Sequence, residues 1–425
     1  MKKTTKDAII VGFALFSMFF GAGNLIFPAY LGLTIGNKYL FGIIGFIIAG
    51  VGLPLLAIIS CSKGDGTFKS VSGRIGNKFS VILTAILFIA IGPLLAIPRT
   101  AATTYELTIH PFFPEISPFI VMGIYFLVNL FFIFRDSSII DTLGKFLTPF
   151  LIILLFVLIT KGLIMPIGEI SETNAINVFS NSLLEGYQTM DAIAALLFAG
   201  IITNSLKNKG YNNKEVPSMI LKSSLVAVIG LAFVYGGLTF IGSQTLSIAP
   251  EGVSKTALLI LISQKILGNA GPIVIGIAMG LACLTTSIGL LSAGASFFEK
   301  VSKGKLSYKL NAVIISIISY GISLLGVDKI IGLSGPVLNI LYPVCITLII
   351  TMLLSKFIKN ILAVKIGVYT SLFFGVLLQI PGLNLNFIPL AELGFGWVIP
   401  TILSIVIGYI ISNALNIKDN SSQYK

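Results

Sequence analysis

Again and again along this chain, about twenty residues pass with scarcely a charged side chain, and no other feature constrains the fold as strongly. A hydrocarbon layer about 30 Å thick is crossed by about 20 apolar residues of helix rising roughly 1.5 Å each. Inside it every backbone N–H and C=O must be satisfied within the chain, which makes helices the expected form. Candidate spans lie near 8 to 31, 39 to 60, 79 to 103, 116 to 134, 145 to 164 and 183 to 205. Six more lie near 218 to 242, 270 to 298, 309 to 326, 330 to 354, 362 to 380 and 392 to 413. The expected class is an all-α polytopic membrane protein with about twelve transmembrane helices. A hydrophobic share of 56%, a charged share of 10% and a mean hydropathy of +1.01 exclude an assembly of soluble domains.

The formal charge of +12 would suggest nucleic acid as a partner of a soluble protein, but here its placement along the chain matters more. With both termini cytoplasmic, 22 of the 28 basic residues fall on the inner side. Only Lys38, Arg99, Lys161, Lys255, Lys265 and Lys329 lie on or toward the other. An omitted or invented span would scramble this asymmetry, so it supports both the helix count and the orientation. The opening MKKTTKD imitates a signal peptide, but the apolar run after it is too long for a typical signal core, and GAGN is not the small-x-small end that a peptidase would want. Cys61, Cys283 and Cys345 are far apart and in or beside spans, so they read as small packing residues. The inner loop GTFKSVSGRIGNK is expected to form a short surface helix with its basic residues toward lipid headgroups.

Two spans interrupt themselves. In FSMFFGAGNLIFPAY, residues 16 to 30, Gly21, Gly23, Asn24 and Pro28 place the most helix-averse residues near mid-membrane. In the sixth span Glu185, Gly186, Tyr187, Gln188, Thr189 and Asp191 break an otherwise apolar run. Such residues at that depth are tolerated where backbone lines a protein-enclosed or wet cavity. Five spans separate the breaks, so a five-helix repeat would enter the membrane with opposite orientation the second time, as in many secondary transporters. The expected organisation is a single membrane transport domain over 1–425. Its first repeat covers about 8–164 and its second about 183–354, with additional helices over about 362–413.

An unwound segment frees backbone groups to act as ligands. N–H groups around Ala22, Gly23 and Asn24, at the start of the resumed half-helix, can hold a carboxylate. Carbonyls from Ser17 to Phe20, at the end of the preceding one, can coordinate a cation. The alternative for the same glycines is a close-packing helix face. The eighth span carries Thr285, Thr286 and Ser287 in a very apolar run. Such hydroxyls bond back to their own helix, or, facing helix one across the inverted repeat, form a sodium site. Asp191 either carries a coupling proton or satisfies freed backbone donors. Arg99 either ends the third span by snorkelling outward or contacts substrate. Glu106 and the lone His110 are assigned to an outer loop. No phosphate loop, Cys and His metal spacing or acid/base pair indicates an enzyme, and no cofactor is expected. Channels use charged or carbonyl rings, whereas paired broken helices favour alternating access.

Three stretches, GFALFSMFFGAGNLIFPAYLG at 12 to 32, IGPLLAIPRTAATTYE at 91 to 106 and EGYQTMDAIAALLFAG at 185 to 200, resemble the branched-chain amino acid:cation symporter (LIVCS) family of bacteria. Span count and compact loops match over essentially the whole chain. The resemblance implies uptake of leucine, isoleucine and valine coupled to a cation, usually sodium, across the bacterial plasma membrane. It also implies the LeuT-type fold of the amino acid, polyamine and organocation superfamily, a 5+5 inverted repeat plus two extra helices. Carried over, Gly21, Ala22, Gly23, Asn24, Tyr187, Gln188 and Thr189 would hold the amino acid's charged ends. Phe20, Tyr187, Ile91 and Ile288 would contact its aliphatic side chain. Sodium would lie among Ser17, Phe20, Thr285, Thr286 and Ser287, with Thr286 and Ser287 as the hydroxyl pair and Thr285 with Thr286 as the other register. The expected partners are the lipid bilayer, the amino acid and the ion (sodium, with the proton as alternative), with no nucleic acid and no obligatory protein partner. Two other classes stay open: a carrier of an aromatic amino acid, nucleobase or polyamine, and a non-transporting membrane sensor. A polyamine would favour more acids than Glu185 and Asp191, and a sensor would need an output domain.

Overall fold

The computed structural model describes residues 3–135, 138–383 and 385–414, with side chains over 4–135, 149–383 and 385–414. Lys2, Lys3, Lys145, Lys418 and Lys425 of the inner basic set lie outside the described side chains. In chain order the first helices are α1 (Lys3–Phe19), α2 (Gly23–Ile35), α3 (Tyr39–Ile47), α4 (Leu53–Ser62), α5 (Phe68–Ser72) and α6 (Asn77–Ile89). Next come α7 (Ala96–Thr104), α8 (Pro118–Phe134), α9 (Ser138–Ile164), α10 (Val178–Tyr187), α11 (Asp191–Asn208) and α12 (Val216–Ser243). The last are α13 (Lys255–Leu267), α14 (Gly271–Val301), α15 (Tyr308–Ser323), α16 (Val327–Leu353), α17 (Ile361–Leu377) and α18 (Val398–Ala414). Every expected span is helical. The first is α1 with α2, the second α3 with α4, the third α6 with α7, and the sixth α10 with α11.

Two features differ from expectation. Helix α13 is an addition between the seventh and eighth spans; its 13 residues reach only about 20 Å, too short to cross the hydrocarbon. The third span also runs further, because α7 continues through a widened turn at Tyr105–Ile109. Glu106 therefore belongs to a helical turn rather than an outer loop, and its carboxylate ties other elements together. It accepts from Thr256 Oγ1 at 2.8 Å and from Val327 N at 2.9 Å. The bend between α6 and α7 has a chemical cause. Pro93 supplies no N–H to the helix, and Gly92 beside it takes the non-helical pair φ −80°, ψ −106°.

The helices gather into two compact units. The first comprises Met1–Val51, Phe88–Met190 and Ser223–Ser334. Helix α14 is its hub, packed against α1, α7, α8, α9, α13 and α15, while α10 lies on α3 and α13 on α2. Helices α2 and α12 meet almost backbone to backbone. A Cβ on Gly32 would fall 2.1 Å from the Thr239 carbonyl oxygen, and one on Gly242 would fall 2.0 Å from that of Ala29. Only glycine permits such an approach. Phe20, Phe27, Phe46 and Tyr235 are among the largest fully buried side chains of this unit.

The second unit comprises Gly52–Leu87, Asp191–Lys222 and Gly335–Lys425. In it α4 packs on α11, and α17 on α18. The loop after α4 does form the short helix α5, but two of its cations serve the protein rather than lipid. Arg74 donates to the carbonyls of Thr351 at 2.9 Å and Ile358 at 3.1 Å, and Lys63 donates to that of Leu353. The last carbonyls of a helix lack intrahelical partners and carry its negative end, so cations settle there.

Large apolar side chains also cover the outside, including Leu127, Phe41 and Ile317, each about two-thirds exposed. Such a surface would drive association in water, whereas lipid tails solvate it.

Candidate functional site

The first break is held open by an asparagine. Helix α1 makes its last regular bond from Phe20 N to the Phe16 carbonyl at 2.8 Å. The next N–H, of Gly21, turns away to Asn24 Oδ1 at 2.9 Å, so it no longer closes on the Ser17 carbonyl. Asn24 N returns a bond to the Gly21 carbonyl at 3.2 Å, and Asn24 Nδ2 donates to the Tyr235 hydroxyl of α12. Asn24 therefore serves as the staple of the break. The carbonyls from Ser17 to Phe20 form the frayed end of α1, and Ala22 and Gly23 open α2 with N–H groups that a helix leaves unmatched.

The second break closes differently. Helix α10 ends in three tight bonds, from Gln188 N to the Glu185 carbonyl at 3.1 Å, Thr189 N to Gly186 at 3.3 Å and Met190 N to Tyr187 at 2.9 Å. Met190 then takes a left-handed φ of +63°, unusual for a residue with a side chain, and α11 starts at Asp191. Thr189 donates its hydroxyl to the Gly186 carbonyl at 2.9 Å, so it too secures its own turn. Gln188 uses its side chain to accept from Ser334 Oγ at 2.6 Å. Asp191 is buried, as suits an acid in the first turn of a helix.

Arg99 bridges the two breaks. Instead of snorkelling outward, it is 4% exposed, because its helix continues beyond it and turns it inward. Its Nη1 donates to the Gln188 carbonyl at 2.8 Å, and its guanidinium carbon lies 5.1 Å from the centre of the Phe27 ring. Its Nη2 is so close to the start of α2 that a Cβ on Gly23 would fall 2.8 Å from it.

The three hydroxyls of α14 point to three places, as a helix advancing about 100° per residue requires. Thr286 Oγ1 donates to the Phe20 carbonyl at 3.2 Å. Thr285 donates to its own helix, to Ala282 at 3.0 Å and Leu281 at 3.2 Å. It also lines a cavity of about 10 Å³ with Ser17, Phe20, Leu151 and Ala282. That is room for a single water-sized particle. Ser287 is fully buried on another side, near the Tyr125 hydroxyl without hydrogen-bond geometry to it. The register that meets α1 is thus Thr285 with Thr286, and Ser287 stands apart from it.

Ile91, Tyr187 and Ile288 are all buried, yet none lines this cavity or the larger one beside α2 and α10. The larger cavity, about 400 Å³, is walled by Leu31, Ile35, Ile176 and Val178, with Glu185 and Lys255 as its charged groups. Lys255 Nζ sits 3.8 Å over the Tyr30 ring. Sequence reasoning overlooked Tyr235 and Ser334, whose roles depend on distant packing. It underweighted Arg99, although an ionisable residue inside an apolar run is by itself a functional signal.

The family described as "Branched-chain amino acid transport protein" matches residues 4–415. The chain belongs to that family. It is 36% identical to the branched-chain amino acid permease BraB of Bacillus subtilis (strain 168), with 96% of each chain aligned. It is 35% identical to a putative branched-chain amino acid carrier protein of Staphylococcus haemolyticus, over 97% of this chain and 98% of that one. Among solved structures it resembles MHP1, a nucleobase-cation-symport-1 family transporter, closed with bromovinylhydantoin bound. The TM-score is 0.66 at 11% identity, over 98% of this chain and 95% of that one. It also resembles MhsT in complex with L-phenylalanine, with a TM-score of 0.54 at 16% identity, over 94% and 98% of the two chains. This member of the branched-chain amino acid transport protein family is accordingly a LeuT-type membrane transporter of about twelve helices, not an enzyme.

Proposed function

We propose that this transporter imports leucine, isoleucine and valine across a bacterial plasma membrane, coupled to sodium, by alternating access with both termini cytoplasmic. The names of its relatives support the substrate class. The observation that carries the coupling is the meeting of α14 with the frayed end of α1, where Thr286 Oγ1 and the Phe20 carbonyl lie 3.2 Å apart. A hard cation with metal–oxygen distances of about 2.4 Å has neighbouring ligands about 3.4 Å apart, close to this separation. Thr285 suits the same shell, because its proton is committed to its own helix and its lone pairs remain available. Ser17 and Phe20 complete it from α1 through their carbonyls.

The amino acid binds at the breaks, its carboxylate toward the first turn of α2 and its side chain toward Phe20, Tyr187, Ile91 and Ile288. The cavity of about 400 Å³ beside α2 and α10 is its approach. Sodium at the helix junction stabilises the outward-open form, which then takes up the amino acid and rearranges. Uptake of labelled leucine into proteoliposomes tests this, with an inward sodium gradient compared against an equal potassium gradient at constant pH and voltage. Sodium-dependent accumulation is expected. Accumulation that follows only an imposed proton gradient refutes sodium coupling and makes Asp191 the coupling group, and no leucine uptake under either gradient refutes the substrate.

A further inference from the structure

We propose that the end of α8 and the start of α15 form a binding site for an anionic phospholipid, its phosphate held by Arg135 and Lys309 and its acyl chains lying along the outward faces of the two helices. The site depends on the chain's place in a bilayer and is independent of what it transports.

The two helices run antiparallel. Tyr320, late in α15, donates its hydroxyl to the Phe119 carbonyl at the start of α8 at 3.1 Å, and its ring packs edge-on against Phe119 and Phe126. At the opposite end Lys309, in the first turn of α15, reaches Phe134, the last residue of α8. Each helix turns an apolar stripe outward at three- and four-residue spacing, Ile124, Leu127 and Phe131 on α8 and Leu310, Ile314 and Ile317 on α15, all exposed. Lipid tails solvate both stripes.

Both stripes end beside a cation. Arg135, the first residue past α8, holds its guanidinium carbon 4.6 Å from the centre of the Phe131 ring, and Lys309 Nζ lies 5.8 Å from that of Phe134. Phe131 and Phe134 are three residues apart and share a helix face, so the two charges stand over neighbouring rings. The rings are 52% and 41% exposed and both cations are exposed, which puts the charges where the apolar surface stops. There a long basic side chain keeps its stem on hydrocarbon and its charge at headgroup level. The planar fork of Arg135 matches two phosphate oxygens, and Lys309 adds a point charge. The turn between α14 and α15 supplies Lys300, Lys303 and Lys305 as well, against Glu299, whose Oε1 accepts from Tyr308 N at 2.9 Å. Even with Asp136, which follows Arg135 in sequence and lies outside the described residues, cations predominate in this corner. Arg74 and Lys63 differ from this pair, since they donate to carbonyls of their own protein.

The rival explanation is diffuse attraction between basic loops and any anionic surface. Binding of dioleoylphosphatidylglycerol and of dioleoylphosphatidylcholine, which have the same chains, is measured by native mass spectrometry on the delipidated full-length transporter in detergent. The phosphate charge attracts each nearby cation by about fivefold in affinity, so the pair predicts a preference of about 30-fold for one molecule of the anionic lipid. Arg135→Gln with Lys309→Gln is expected to reduce that preference to within about threefold, and either substitution alone to lower it about fivefold. Lys214→Gln with Lys356→Gln removes the same charge from exposed positions elsewhere and is expected to keep it. Wild type without a preference overturns the proposal, as does an equal loss in both double variants, which is the diffuse attraction. Displacement of the lipid by millimolar inorganic phosphate overturns it too, because the site then recognises the anion alone. If the Arg135 and Lys309 double variant does not fold, the single variants decide, and an unchanged preference in both refutes the site.

Discussion

Removing the hydroxyl of Thr285 is the sharpest test of the proposed ion site, because its neighbour two positions on supplies an internal control. Thr285 Oγ1 is 3.0 Å from the Ala282 carbonyl and lines the cavity shared with Ser17 and Phe20. Its proton is engaged whether or not a cation is present, so Thr285→Ala removes one proposed oxygen ligand and leaves the helix bonded. A charge-assisted contact of this kind contributes about 1.5–3 kcal/mol, which converts to roughly a 10- to 150-fold rise in the sodium concentration for half-maximal uptake. Thr286→Ala is expected to act in the same direction and also to lose the bond to the Phe20 carbonyl. Ser287→Ala removes a hydroxyl that faces Tyr125, and its sodium half-saturation is expected to stay within about twofold of wild type. Initial rates of leucine uptake into proteoliposomes are measured against external sodium, at fixed voltage and pH, with valine competition recorded alongside to show whether substrate preference moves. The reasoning fails if Thr285→Ala and Thr286→Ala both keep the wild-type sodium dependence, or if Ser287→Ala shifts it as far as Thr285→Ala does.

Three further outcomes are expected. Tyr235→Phe removes the buried hydroxyl that accepts from Asn24 Nδ2, a loss of about 0.5–1.5 kcal/mol that lowers the thermal midpoint in detergent; an unchanged midpoint removes Tyr235 from the staple. Glu106→Gln puts an amide donor where the carboxylate accepts from both Thr256 and Val327, costing about 1–2 kcal/mol, and the same melting measurement detects it. Unlabelled valine and isoleucine compete with leucine uptake, whereas alanine, three carbons shorter, competes more weakly by roughly 2.4 kcal/mol or about 60-fold. Valine that fails to compete contradicts the aliphatic pocket.

Much of the fold was legible before any coordinates. Spans follow from apolar length, and the break in the first span follows from Gly21, Gly23 and Asn24, residues that leave a helix for reasons intrinsic to their own chemistry. The second break was legible from polarity rather than conformation. Its turn is made by Met190 in a left-handed conformation, which no propensity indicates. Helix α13 leaves no span signal, because its 13 residues are too few to cross. Glu106 reads as a loop residue within its run of Thr, Tyr and Glu, because its partners, Thr256 and Val327, are 150 and 221 residues away.

The amino-acid sequence alone therefore determined that this chain lives in a bilayer, how often it crosses, and where two crossings give up their helix. These properties depend on residues within about twenty positions of one another, and lipid enforces them without regard to tertiary contacts. Which polar atoms remain to meet a ligand was decided by packing. Asn24 and Thr189 turned out to close their own breaks, Ser287 faced Tyr125 rather than α1, and Arg99 pointed inward to join both breaks. A side chain's direction depends on which helix packs against its own. Hydrogen bonds spanning 89 to 266 residues of chain set those directions, and local pattern carries no record of them.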